Sequence, residues 1–304
     1  MTCGGGFETW LQYIDGFELR HFCAFELLND QRGRDCLTDY HRKLVEAAVE
    51  NGFGVINEGL HYRASRDWGE LIGFSQQALK EITIRGIEFY KDFALEYHSE
   101  ASPMVVGGCV GPRGDAYETG RTETAAEAED YHSEQIITMR DAGADLVSAW
   151  TFSSVEEAIG FARAARAADI PCVVSFIAKG GTLNDGTSLK DAVLGVDAAT
   201  DSAPLYYSVN CAHPTEIEPG LSDDDWTQRI GGFMPNAVAL ELLTLCSLGH
   251  LEDGDPEVLG DQMAALARRY PHVNVWGGCC GTDARHIGQI ARQVRSARQE
   301  IVAE

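Results

Sequence analysis

The sequence has 304 residues, 44% of them apolar, which suffices for one large packed domain, and no stretch reads as a linker, a repeat or a low-complexity tract. Its 47 acidic residues against 24 basic ones leave a formal charge of −23. Such a surface repels phosphate, so nucleic acid and anionic membranes are excluded as expected partners.

The basic set contains only five lysines (43, 80, 91, 179 and 190), a bias that fits either a salt-adapted host or a GC-rich genome. No window approaches the roughly 20 apolar residues of a membrane span or the pattern of a signal peptide. The nine cysteines are therefore expected as reduced thiols in a cytoplasmic protein, and their odd number argues against a disulfide framework.

Along the chain, short apolar runs alternate with helical patterns. Strands are expected at Phe53–Ile56, Met104–Gly107, Asp145–Ala149, Cys172–Phe176, Tyr206–Val209 and Val273–Trp276, with weaker ones near Cys3–Gly6 and Ile230–Met234. Between the fourth and fifth runs, Val155, Ala158, Ile159 and Ala162 follow helical spacing, behind the cap Ser153-Ser154 and the acids Glu156-Glu157. A last helix over Ala284–Arg298 repeats the stripe with Ile287, Ile290, Ala291 and Val294, and Asp283 stands where a cap belongs. Repeated strand–helix units imply a parallel sheet with right-handed crossovers, and eight of them favour a single (β/α)8 TIM barrel over an open doubly wound sheet. In either fold the functional residues are expected after the carboxyl ends of strands.

Three cysteines occupy such positions. Cys211 directly follows the run Tyr206–Asn210, and Cys279 and Cys280 follow Val273–Gly278. Gly277, Gly278 and Gly281 allow a tight turn around the pair. Thiols in this setting read either as core cysteines beside a turn or as ligands of a tetrahedral zinc ion. Two thiols from one loop and a third from another strand end suit the metal, with the fourth corner left for substrate.

The segments Asn210-Cys211-Ala212-His213-Pro214 and Gly277-Gly278-Cys279-Cys280-Gly281-Thr282 resemble the zinc signature of the homocysteine S-methyltransferase family. That family spans betaine-dependent and S-methylmethionine-dependent enzymes and the homocysteine module of cobalamin-dependent methionine synthase. The likeness runs over nearly the whole chain: Gly5-Gly6-Phe7-Glu8-Thr9 is similar to its N-terminal loop, and Gly108-Cys109-Val110-Gly111-Pro112 to its loop after the third strand. The resemblance implies a zinc-bearing TIM barrel with Cys211, Cys279 and Cys280 as ligands, and it implies substrate contacts at Gly5, Gly6, Glu58, Trp150 and Asn210. It further implies methyl transfer from a sulfonium or quaternary ammonium donor to a thiol, homocysteine above all. Zinc lowers the thiol's pKa from about 8.5. A cationic donor suits a rim of acids and aromatic rings.

Two positions depart from the family pattern. Gly4 stands where the N-terminal loop normally carries an Asp, and Trp150 stands where a Glu follows the fourth strand. Both lost acids are partners for a substrate ammonium, which Glu58 is placed to replace. The departures leave two alternatives to homocysteine transfer: the same zinc chemistry on another thiol or a selenol, or a zinc-binding or redox-sensing protein without catalysis.

Other residues carry plainer readings. His213 and His286 read either as hydrogen-bond donors behind the metal ligands or, more plainly, as groups that solvate or cap loops near the cysteines, and Cys109 either as a thiol approaching the site or as a buried one in a loop. Cys23, Cys36, Cys172 and Cys246 are read as packing, Asp223–Asp225 as a solvated loop, and Gly114–Tyr117 either as shaping the donor pocket or as only a turn. Cys3 lies beside the N-terminal glycines, at the pocket or fraying with the terminus. No heptad and no large apolar patch marks a subunit interface, which leaves the oligomeric state open.

Overall fold

Short apolar, β-branched runs form parallel strands: β1 Thr2–Cys3, β2 Val55–Asn57, β3 Met104–Val110, β4 Leu146–Phe152, β5 Cys172–Phe176, β6 Pro204–Asn210, β7 Ile230–Met234 and β8 Val275–Gly277. This computed structural model describes residues 1–97, 103–117, 120, 122–240 and 249–303, leaving aside the side chains of Cys3 and of residues 302 and 303. Each strand pairs in parallel with the next, and β1 also pairs with β8 through Thr2 opposite Trp276 and Cys3 opposite Gly277. The result is an α/β fold whose parallel strands curl round in the manner of a TIM barrel.

The helices between strands start and stop where local chemistry directs. Ser154 caps the helix Val155–Ala167 by accepting the Glu157 N–H, with Glu156 and Glu157 at the positive end of its dipole. Asp283 accepts the Arg285 N–H at 2.8 Å and so opens the helix Ala284–Ala303. The expected stripes do turn inward: Ala158, Ile159 and Ala162 are buried and Val155 partly so, and Ile287, Ile290, Ala291 and Val294 are buried as well.

Several boundaries differ from expectation. The first strand is Thr2–Cys3 rather than Cys3–Gly6, because Gly4 turns the chain with φ +57° and the glycines become a loop. β3 and β4 extend further than their apolar runs, so Cys109 and Trp150 lie within strands instead of the loops expected for them. β2 and β8 each begin two residues later than expected.

Two apolar layers hold this arrangement. The larger lies between helices and strands and includes Phe25, Tyr90, Phe161, Tyr207 and Trp276. A smaller cluster gathers Ile56, Met234 and Val275, with Val105, Trp150 and Tyr206 against it, and thus joins β2, β3, β4, β6, β7 and β8. Trp150 ties that cluster to the rim.

One buried polar side chain in the helical layer has a measurable consequence. His41 is 3% exposed and ringed by Phe7, Tyr40, Phe89, Tyr90 and Phe93, with centroids 5.2 to 6.2 Å away. Burial pushes its pKa down to about 4. The unfolded chain, with a histidine near about 6.5, takes up a proton that the folded state refuses. The stability held above that value is therefore lost as the pH falls toward 4. His41→Phe, which suits the aromatic cage, is expected to retain about 2–3 kcal/mol more stability than the parent at pH 4.5, measured against the pH 7 difference by urea unfolding. An equal loss in both proteins would contradict this assignment.

Candidate functional site

The three cysteines meet at the carboxyl rim of the strands. Cys211 follows β6 directly, and Cys279 and Cys280 lie just beyond β8. The sulfurs of Cys211 and Cys279 are 2.6 Å apart, and all three sulfurs lie within 4.8 Å of one another. Among the described residues this is the one cluster of histidine, cysteine or acidic side chains close enough to share a metal ion.

The backbone explains how segments 68 residues apart converge. The stretch after β7 acts as a splint between them. Met234 C=O accepts the Cys211 N–H at 3.2 Å, and the Asn236 N–H donates to Ala212 C=O at 3.3 Å. On the other side Pro235 C=O accepts the Cys279 N–H at 2.7 Å, and the Ala237 N–H donates to Cys280 C=O at 3.0 Å. Cys211 takes φ +55°, a left-handed conformation that costs a non-glycine residue roughly 1–2 kcal/mol and persists only where its surroundings enforce it. Thr282 closes the other loop by donating both its N–H and its hydroxyl to Cys279 C=O.

Asn210 is oriented by its own hydrogen bonds. Its Oδ1 accepts from Ser175 Oγ at 2.7 Å and from the Thr151 N–H at 3.2 Å. That leaves Nδ2 turned toward sulfur, 3.4 Å from Cys211 Sγ and 3.9 Å from Cys279 Sγ. Hydrogen bonds from Cys211 and Cys280 hold the Cys279 thiol well below its ordinary pKa, while the bond to Cys279 raises Cys211 and the bonds to Cys211 and Cys279 raise Cys280. Cys279 is thus the first of the three to become a thiolate. Ala116, Ile177 and Tyr117 form an apolar wall behind the sulfurs.

The cysteines open into a cavity of about 430 Å³ that Gly4, Gly5, Gly6, Glu58 and Trp150 also line. Asn210 is fully buried behind the sulfurs and acts on them rather than on the cavity. Glu58 is 4% exposed and accepts a hydrogen bond from Trp150 Nε1 at 3.2 Å. Cys109 is buried in the same wall, and burial raises its thiol well above the ordinary range. Asp115 and Tyr117, from the expected turn, line the cavity as well.

The plainer readings of the histidines fit their partners. His213 caps the turn Pro214–Ile217 through Thr215, and His286 binds Asp283 and the Asp253 C=O. His286 and Arg285 together hold the segment around Asp253, whose neighbours His250 and Glu252 face the cavity. Cys23 and Cys172 are buried and Cys36 partly so, while Cys246 lies outside the described residues. Asp223 and Asp224 pair with Arg269 and Lys190 on the surface.

Sequence reasoning passed over Glu8, Tyr62 and Arg63, all of which line the cavity. Burial, together with negative charge at Cys279, pushes the Glu8 carboxyl up to about 8. Tyr62 and Arg63 follow β2 within a few residues, so the strand-end rule would have found them. Arg63 is packed flat on Trp68 at 3.8 Å and donates to Gly114 C=O.

Three clustered thiols at the carboxyl rim of parallel strands mark the place where an α/β enzyme of this architecture keeps its site, and the comparisons specify the chemistry. The family model described as homocysteine S-methyltransferase matches residues 1–294, so the chain belongs to that family and is a methyltransferase. It is 28% identical over 320 residues to methionine synthase of Mycobacterium tuberculosis, covering 98% of this chain and 25% of the relative. The corresponding protein of Mycobacterium leprae is 27% identical over 316 residues, covering 97% of this chain and 24% of the relative. The chain thus spans about a quarter of the length of the curated relatives it matches. In fold it is similar to the homocysteine methyltransferase MmuM from Escherichia coli. The oxidized form superposes with a TM-score of 0.73 at 19% identity over 95% of this chain and 94% of that one. The metallated form gives 0.70 at 18% identity over 96% and 95%. Among the described residues no helix is long and apolar enough to cross a membrane.

Proposed function

We propose that the chain is a zinc-dependent S-methyltransferase that moves a methyl group from a sulfonium or quaternary ammonium donor to homocysteine, giving methionine, on a single (β/α)8 domain over residues 1–304. The observation that carries this reading is three sulfurs within 4.8 Å of one another at the mouth of a substrate-sized cavity. The donor set fits the metal: tetrahedral zinc–sulfur bonds of about 2.3 Å space the sulfurs by roughly 3.8 Å, so Cys211 and Cys279 need separate by only about 1 Å. A metallated form of a structurally similar homocysteine methyltransferase supports the same reading.

A zinc ion held by Cys211, Cys279 and Cys280 supplies the positive charge that keeps an acceptor thiol deprotonated at neutral pH. The rest is the work of the chain. Asn210 Nδ2 donates toward two of the sulfurs and steadies their negative charge. The rings of Tyr62, Tyr117 and Trp150 line the cavity that would take a cationic donor, beside the carboxylates of Glu58 and Asp115. The acceptor sulfur attacks the methyl carbon in line. Its lone pair forms the new S–C bond as the donor's S–C or N–C bond breaks, and the electron pair leaves with a neutral thioether or amine. The acceptor's proton passes to solvent. Holding both reactants in one cavity supplies much of the rate.

A second reading keeps this chemistry for another thiol or selenol, favoured by the absence of acids at Gly4 and Trp150. Zinc-loaded protein is expected to methylate homocysteine from at least one of S-methylmethionine, S-adenosylmethionine and betaine, and to stop when a chelator removes the metal. Transfer only to other thiols or selenols would establish the second reading. Stoichiometric zinc with no transfer to any acceptor would leave a binding protein and sink both.

A further inference from the structure

Gly4 and Trp150, though 146 positions apart, form one packed unit in the cavity wall. A Cβ added at Gly4 would stand 3.2 Å from Trp150 Cη2 and 3.5 Å from the Gly278 carbonyl oxygen, at a backbone φ of +57° that disfavours any side chain. The indole therefore fills the corner between the loops after β1 and β8, and no carboxylate at residue 4 could share that corner with it. The ring's other end is committed as well, because Nε1 donates to Glu58 Oε1 at 3.2 Å. Trp150 is braced from below by Ile56, Met234 and Val275. Its N–H thus holds the carboxylate of Glu58 at one orientation in the wall of the cavity that the three cysteines enter.

Resting on the thiol-transfer reading above, we infer that Glu58, aimed by Trp150, is the specificity-determining residue that recognises the α-ammonium group of an amino-acid thiol. An ammonium beside a largely enclosed carboxylate gains more than it does in water, since few water molecules remain there to screen the pair. A thiol of equal length without the amino group forgoes that charge-assisted contact and binds less well. Trp150 positions; Glu58 discriminates. The bulk that removes two sites for an acid thereby steadies a third.

The test compares homocysteine with 4-mercaptobutyrate, which has the same carbon chain, thiol and carboxylate but no amine. Calorimetry on zinc-loaded protein should show homocysteine bound about 10- to 100-fold more tightly, the range for one charge-assisted hydrogen bond. Glu58→Gln, nearly isosteric, should abolish that preference by weakening homocysteine alone, with one zinc per chain retained. Trp150→Phe, which keeps a ring in the corner and loses the N–H, should reduce the preference part of the way. An unaltered preference in Glu58→Gln overturns the inference and leaves thiol transfer standing, and so does an equal loss for both ligands. A parent protein that binds neither thiol overturns the inference together with the reading beneath it.

Discussion

Cys280→Ala is expected to bring zinc content well below one per chain and to cut methyl transfer by more than the roughly 10–100-fold typical of changes outside the ligand shell. The reason lies in the number of ligands. Three sulfurs within 4.8 Å of one another can close three corners of a tetrahedron, and two cannot hold a zinc ion with a free corner against competing water. The fold should survive, because the structural contact of Cys280 is its carbonyl, which accepts the Ala237 N–H and is unaffected by the side chain. Metal analysis, circular dichroism and a transfer assay on one preparation decide the matter. Stoichiometric zinc in the variant would show that the ligand set is wrong.

Gly6→Ala should be nearly as damaging, though residue 6 bears no chemistry. A Cβ there would lie 2.6 Å from the Cys279 carbonyl oxygen and 2.9 Å from Gly281 N, so the methyl meets backbone that cannot swing aside. Gly6 is also bonded into this contact: its N–H donates to Thr282 C=O, and its carbonyl accepts Thr9 Oγ1. The loop carrying Cys279 and Cys280 must move, at an expected stability cost of about 1–3 kcal/mol for an overpacked site. Zinc affinity should fall with it. Gly195→Ala is the control, since a Cβ there meets only Val155 Cγ1 at 3.6 Å inside the helix Leu189–Thr200. That change should be neutral or stabilise by about 0.5–1 kcal/mol. Thermal unfolding followed beside zinc titration checks both, and a Gly6→Ala protein with parental zinc affinity would refute the argument.

Much of this molecule is legible in one dimension. Strand and helix order follows from alternating apolar runs, and the capping at Ser154 and Asp283 follows from residue type. The cysteines stand at strand ends because β6 and β8 stop just before them. The resemblance to the family, read from Asn210–Pro214 and Gly277–Thr282, agrees with the family match over residues 1–294. Strand ends were less legible. β3 and β4 continue beyond their apolar runs, and the glycines after β1 leave the sheet where Gly4 reverses its φ.

Residue order alone determined which elements form and which thiols reach the rim, because periodicity, caps and strand ends are local properties. Only the tertiary structure decided how Cys211 meets Cys279 and Cys280, through the Met234–Ala237 splint, and how Ser175 and Thr151 turn Asn210 toward sulfur. It alone placed Trp150 over Gly4 and against Glu58, so that two separate departures from the family pattern became one packed corner. Steric exclusion and hydrogen bonding act between neighbours in space, and no spacing along the chain records who those neighbours are.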